Sequence, residues 1–284
     1  MNRPTCLLAL LAVLIGFAPV AANAMVSDKA VAKIVAFGGS CAKCELSGRK
    51  LAGARFMGAN FAEAALVGAD LRGARFHGSA FTRANLSRAD LSDSAMMGVS
   101  FGGANLSDAI LRSAEAKGSD FAQADLSRAD LRDVDASGSN FAQANLTDAR
   151  LMDAELKGVN FTNVNARGAD FRDAELTASN LSAGRFDRAS FRSAELDMAN
   201  LQNAIFHGAD FRGASMDRTN LGGADLSRAR GLVQSQINEA CADGATRLPS
   251  GLTARICSGR SMTPPTPPSP PAPPVPRFLE IGLD

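Results

Sequence analysis

Every fifth residue from Leu46 to Leu226 is Leu, Phe, Met or Ala, in all 37 cases and without an insertion, and 32 of the 37 are Leu or Phe. We call this position i. Position i−2 is small: Ala54, Ala59, Ala64, Ala69 and Ala74 open the series, with Ser79, Val99, Gly184 and Thr219 as variants. Position i−1 favours Asn or Asp, as in Asn60, Asp70, Asn85, Asp90, Asn105 and Asp120. A period of five matches neither the 3.6 of an α-helix nor the 2 of a flat strand. It fits a short extended segment followed by a corner. Within the extended part i−2 and i point to one side and i−1 to the other, so apolar groups fill an interior and polar groups face water.

A longer period shows how many such sides close one coil. Phe61, Phe81, Phe101, Phe121, Phe141 and Phe161 recur every twenty residues, as do Gly58, Gly78, Gly98, Gly118, Gly138 and Gly158, and Asn140, Asn160, Asn180, Asn200 and Asn220. Three sides would give fifteen; twenty predicts a four-sided coil, with about nine coils from 41 to 231. The phenylalanines are expected to stack as a core ladder along one inner edge. The glycines are expected at a corner that needs positive φ, which costs glycine nothing.

The unit Ala-(Asp/Asn)-(Leu/Phe)-x-x, unaltered in Ala84-Asn85-Leu86-Ser87-Arg88 and Ala129-Asp130-Leu131-Arg132-Asp133, resembles the pentapeptide-repeat family. The resemblance covers about two thirds of the chain. It implies an all-β fold, a right-handed quadrilateral parallel β-helix, a handedness that spacing alone does not carry.

A solenoid must cover both ends, where core and strand edges are exposed. Residues 25–40 are expected to form an N-terminal capping helix, with Ser27 or Asp28 as its cap and Gly38-Gly39 as its stop. Beyond Gly231 the register ends, and Val233, Ile237, Ala240 and Cys241 have helical spacing. Residues 232–260 resemble a C-terminal element that follows such repeats in exported bacterial members and are read as the second cap. Residues 1–24 read as a signal peptide: Arg3, an apolar run from Cys6 to Val20, and the small-residue site Ala22-Asn23-Ala24. The apolar run is shorter than the ~20 residues of a spanning helix, and no later stretch is expected to cross a bilayer. The chain is therefore expected to be periplasmic or secreted. Residues 261–284 form a proline-rich tail, whose Thr263 to Pro276 should favour extended, solvated polyproline II.

Four cysteines follow the signal, and an oxidising compartment permits disulfides. Cys241 and Cys257 enclose a short loop, and a bond there would add about 3 kcal/mol by loop entropy. Cys41 and Cys44 form a C-x-x-C, a spacing also used by thiol-exchange and metal sites. Continued backwards, the register puts Cys41 at i and Cys44 at i−2, both inward, which favours structural residues or a structural disulfide. Thiol exchange and, more weakly, zinc stay open.

Lys plus Arg number 30 and Asp plus Glu 29, and Trp and Tyr are absent. This balance argues against a global field for nucleic acid. The two histidines, His77 and His207, lie six and a half coils apart and cannot share a site. No phosphate loop, nucleophile elbow or dinucleotide fingerprint is present, so no enzyme activity, cofactor or metal is expected. One surface column stands out: Arg72, Arg112, Arg132, Arg172, Arg192 and Arg212, all at i+1 on one side, with aspartates beside them. It is a salt-bridge ladder or a candidate interaction strip.

Together these features suggest a non-catalytic structural or protein-interaction scaffold of the bacterial envelope, holding an unidentified protein partner, with self-association open. Two alternatives stand beside it. The family resemblance implies one, since some members imitate DNA and bind DNA gyrase. The arginine column suggests the other, binding of an anion or polysaccharide.

Overall fold

The computed structural model describes residues 38–257. The expected signal peptide, nearly all of the expected N-terminal helix and the proline-rich tail lie outside the described residues. From Ser40 to Arg230 every fifth residue pairs in parallel with the residue twenty further on: Ser40 with Asn60, Glu45 with Ala65, Lys50 with Asp70, Arg55 with Arg75, and so on to Asp210 with Arg230. Four pentapeptides therefore make one coil. At the ~4.8 Å spacing of a β-ladder, nine coils give a rod roughly 43 Å long.

The five-residue rule follows from where each backbone N–H goes. The N–H of i donates to the coil above, as Phe61 does to Ala80 O (2.7 Å), and so does that of i+2, as Glu63 does to Thr82 O (2.9 Å). The N–H of i−1 donates to the coil below, as Asn60 does to Gly39 O (3.0 Å). The N–H of i+3, which is the next i−2, closes the corner on the carbonyl of i, as Ala64 does to Phe61 O (3.0 Å). Only the N–H of i+1 is left over. The side chain of i−1 takes it: Asn60 Oδ1 accepts from Ala62 at 2.9 Å, Asn105 Oδ1 from Ser107 at 3.0 Å, and Asn140 Oδ1 from Ala142 at 3.1 Å. Asn and Asp recur at i−1 because they make this local Asx bond.

Position i+2 is the third residue of each corner and has positive φ, the mark of a type II turn. The sequence placed this only at one glycine column. The structure extends it to all four corners, including 22 non-glycine residues such as Asp93 (φ 57°), Ala178 (φ 58°) and Ala183 (φ 56°).

The lumen is solid. No i residue from Leu46 to Leu226 is more than 3% exposed. The six phenylalanines of the expected ladder stack with ring centroids 4.6–5.2 Å apart. Beyond Phe161 the stacking passes to other edges, Phe171–Phe191–Phe211 and Phe186–Phe206, at 5.0–5.1 Å. The buried hydroxyls at i−2 are bonded to the backbone rather than idle. Ser139 Oγ donates to Ala116 O at 2.7 Å and accepts from Ser119 N–H at 3.0 Å; Ser79 and Ser179 bond the corner of the preceding coil in the same way.

At the far end a single helical turn, α1 (Gln234–Ile237), precedes two short paired strands, β1 (Cys241–Ala242) and β2 (Arg255–Ile256). This corrects the helical spacing read in Val233, Ile237, Ala240 and Cys241, of which the helical turn includes Ile237 alone. Ile237 and Ala240 are buried, but Val233 is 52% exposed, and Cys241 stands in the ladder above Asn220. The cap is largely one more coil, because the last carbonyls need β-type donors. Gln236 Nε2 supplies two more, to Phe211 O (2.8 Å) and Ala214 O (2.7 Å). Among the described residues no helix is long and apolar enough to cross a membrane.

Candidate interaction faces

With the lumen filled, chemistry is confined to four outer faces, named here by one inward residue of each. On the Leu71 face the arginine column runs with the rod axis, and its members are tied to aspartates. Arg72, Arg172 and Arg212 each bind the aspartate two residues before them, Asp70, Asp170 and Asp210. Asp130 accepts both Arg112 (2.7 Å) and Arg132 (2.8 Å). Among the described residues Arg192 forms no ion pair within 4.0 Å, but its charge helps to lower Asp210. The bound guanidinium holds the Asp70 carboxyl below the ordinary aspartate range, and Arg212 does the same for Asp210. Exposed pairs of this kind contribute little each, so five of the six arginines have their charge answered within the rod.

The Phe76 face was missed in the sequence. Glu115, Asp135, Glu155, Glu175 and Glu195 form a carboxylate column at i−1, joined by Asp197 and Asp217 at i+1. Among the described residues Lys117 and Lys157 pair with Asp135 (2.6 Å) and Glu175; with Arg55, Arg75 and Arg218 also on this face, seven carboxylates stand against five basic side chains. Outward positions on the other three faces balance acid against base between 41 and 230. A balanced total therefore conceals one acidic side. The signal was there, one carboxylate every twenty residues, but a whole-chain count hides it.

On the Phe61 face, outward positions from Ala122 to Gly223 carry no charged side chain. Its i−1 column is an amide ladder. Asn140 Nδ2 donates to Asp120 (2.9 Å), Asn160 to Asn140 (3.0 Å), Asn200 to Asn180 (3.2 Å) and Asn220 to Asn200 (3.0 Å); Asn180 donates to Thr162 Oγ1 (3.0 Å). The Leu66 face holds His207 between two carboxylates, Nδ1 3.5 Å from Asp187 and Nε2 3.2 Å from Asp225. His207 is thus part of a charged cluster with Arg247, 3.5 Å from Asp225. Burial raises the Asp225 carboxyl, but Ser227 and His207 outweigh it and leave it lowered. His77 lies on the Phe76 face, far from this cluster.

Cys41 and Cys44 are inward, 2% and 9% exposed, and bonded to each other. Cys241 is bonded to Cys257. Among the described residues no group of three or more His, Cys, Asp or Glu is arranged to hold a metal ion.

Residues 117–199 match a family model described as a pentapeptide repeat region, and residues 40–78, 74–112, 97–128 and 194–230 match one described as pentapeptide repeats (8 copies). Among solved structures the chain is similar to HetL, a pentapeptide repeat protein involved in heterocyst differentiation regulation in the cyanobacterium Nostoc sp. strain PCC 7120. The two share 27% identity over 72% of this chain and 92% of HetL, with a TM-score of 0.63. A pentapeptide repeat protein of the Arabidopsis thaliana thylakoid lumen is 33% identical over 35% of this chain and 69% of its own, with a TM-score of 0.34. QnrB1, a plasmid-mediated fluoroquinolone resistance protein, is 22% identical over 63% of this chain and 88% of its own, with a TM-score of 0.34. A search of curated proteins gave no match.

Proposed function

The chain belongs to the pentapeptide-repeat family, and on that premise we propose that it is a non-catalytic interaction scaffold of the bacterial cell envelope. The observation that carries this reading is the division of one rigid rod into faces of different chemistry: acidic, neutral amide and charge-paired. A twenty-residue register held over nine coils keeps each chemistry in line along the axis, so a partner meets a straight strip of one kind. Among the described residues the lumen is filled, and the carboxylates stand on outer faces or in shallow surface depressions, whereas paired acid–base work draws on carboxylates desolvated in a cleft. The acidic Phe76 face is the strip best suited to a protein partner with basic side chains, since the arginines of the adjoining Leu71 face are largely neutralised by their own aspartates.

The test is capture from an envelope fraction with the mature chain and with a variant carrying Glu155→Gln, Glu175→Gln and Glu195→Gln. We expect a specific partner to be retained by the first and lost by the second. Equal capture by both removes the acidic face from the reading, and recovery of the chain in the cytoplasm removes the envelope.

The acidic column also favours a second reading, gyrase binding by imitation of DNA. It predicts inhibition of supercoiling by the purified chain, relieved by the same three substitutions.

A further inference from the structure

We infer that the neutral Phe61 face is a docking strip for the chain's own proline segment, Thr263–Pro276. Three observations converge on it, none of which depends on the scaffold reading.

The first is position. β2 lies on β1, and β1 continues the Asn220 column through Cys241, so the chain leaves the described residues at Cys257 directly above the amide face. The Cys241–Cys257 bond fastens the exit point there.

The second is hydrogen-bond complementarity. Along the column each Asn Oδ1 is engaged by the N–H two residues on. Oδ1 of Asn140, Asn180 and Asn200 also accepts from the next rung, and that of Asn160 from Thr162 Oγ1. Among the described residues each Nδ2 donates one hydrogen bond, within the ladder or to Thr162, and an amide nitrogen has a second N–H to give. The face therefore offers donors at one per coil. In the proline segment nine of fourteen residues are proline, which have carbonyl acceptors and no N–H. Donors in excess on one side meet acceptors in excess on the other.

The third is charge and length. Neither the segment nor the face from Ala122 to Gly223 carries a charge, so their contact buries no ion, whereas the other three faces would require it. Fourteen residues of polyproline II at ~3.1 Å each reach about 43 Å, and the five coils of neutral face need about 24 Å at the ladder spacing. Residues 258–262, which include Gly259, leave five residues between Cys257 and the segment. A second copy is a poorer occupant. A side about 10 Å wide and 24 Å long, three extended residues by five coils, buries far less than the ~1,200 Å² of a stable protein interface. A tethered segment needs much less, because its effective concentration is millimolar.

The test uses the full mature chain with a photoreactive benzoylphenylalanine in place of Ala272. Cross-links within one chain are expected on the Phe61 face, in the coils around Gln123 and Gln143. The side-chain amide resonances of Asn140, Asn160, Asn180 and Asn200 should also shift when Pro267, Pro270 and Pro273 are changed together to Gly. Cross-links spread over all four faces, cross-links joining two chains, or asparagine resonances that do not move would each overturn the proposal.

Discussion

Asn140 Oδ1 accepts the backbone N–H of Ala142 at 3.1 Å, closing the one bond per pentapeptide that the ladder and the corner leave open. The same side chain donates to Asp120 and accepts from Asn160. Replacing Asn140 by Ala removes all three bonds at a half-buried position. We expect a loss of about 1–2 kcal/mol, read as a lower denaturant midpoint with unchanged slope. The converse change, Ala80→Asn, provides the missing acceptor for Thr82 and should raise the midpoint.

Two neighbouring residues should respond in opposite directions. Ala183 sits at φ 56° in a corner, a conformation that costs an L residue roughly 1–2 kcal/mol. Glycine removes that cost but adds about 0.4–1 kcal/mol of unfolded-state entropy. Ala183→Gly should therefore stabilise by about 0.5–1 kcal/mol. At Gly184 a Cβ would meet Phe186 Cε2 at 2.6 Å and Leu181 O at 3.1 Å. Gly184→Ala should destabilise by about 1–3 kcal/mol, although alanine is the commonest residue at i−2. Thermal melting of the two variants checks both signs.

These residues also mark what the sequence revealed. The fold was legible because a buried i position cannot drift by one residue without placing Leu or Phe in water. Four sides were legible because like side chains stack, as Phe61 and Phe81 do. The reason for Asn at i−1 was not legible: the pattern shows a polar outward residue, and only the full set of backbone bonds shows an orphan N–H beneath it. Nor was the corner rule, since Arg, Asp and Gln occupy positive φ beside glycine. The cap misled for a local reason. Val233, Ile237 and Ala240 mimic helical spacing, whereas the last coil's carbonyls required another β rung. The charged faces were half legible; a scan by twenty shows the arginine column with its aspartates and would have shown the carboxylate column of the Phe76 face, which a whole-chain count hides, but which aspartate each arginine binds needs the rod in three dimensions.

Acid should weaken the rod in a defined window. The Asp70 and Asp210 carboxyls are held low chiefly by hydrogen bonds from Arg72 and Arg212. A carboxyl lowered in the folded state stabilises it above the unfolded value, near ~3.9. That contribution is lost as pH falls through the folded value. Stability should thus decline below about pH 4. Arg72→Gln with Arg212→Gln returns both carboxyls toward ordinary behaviour, so the variant should lose less between pH 5 and pH 2.5 than the parent. Equal losses would mean that these pairs are silent.

The central claim is that side chains twenty residues apart sit one above the other. Gln123 and Gln143 are such a pair, joined across the coil by Nε2 to Oε1 at 3.1 Å. The most direct measurement is disulfide formation between cysteines placed at both positions, Gln123→Cys with Gln143→Cys, mapped by mass spectrometry. Gln123→Cys with Gly138→Cys, fifteen residues apart, serves as the comparison. Neighbouring coils place the first pair within the ~4.4–6.8 Å Cα range of a disulfide and the second pair on different faces. The account predicts rapid bonding at twenty and none at fifteen. Bonding at fifteen, or at neither, would contradict a four-sided coil.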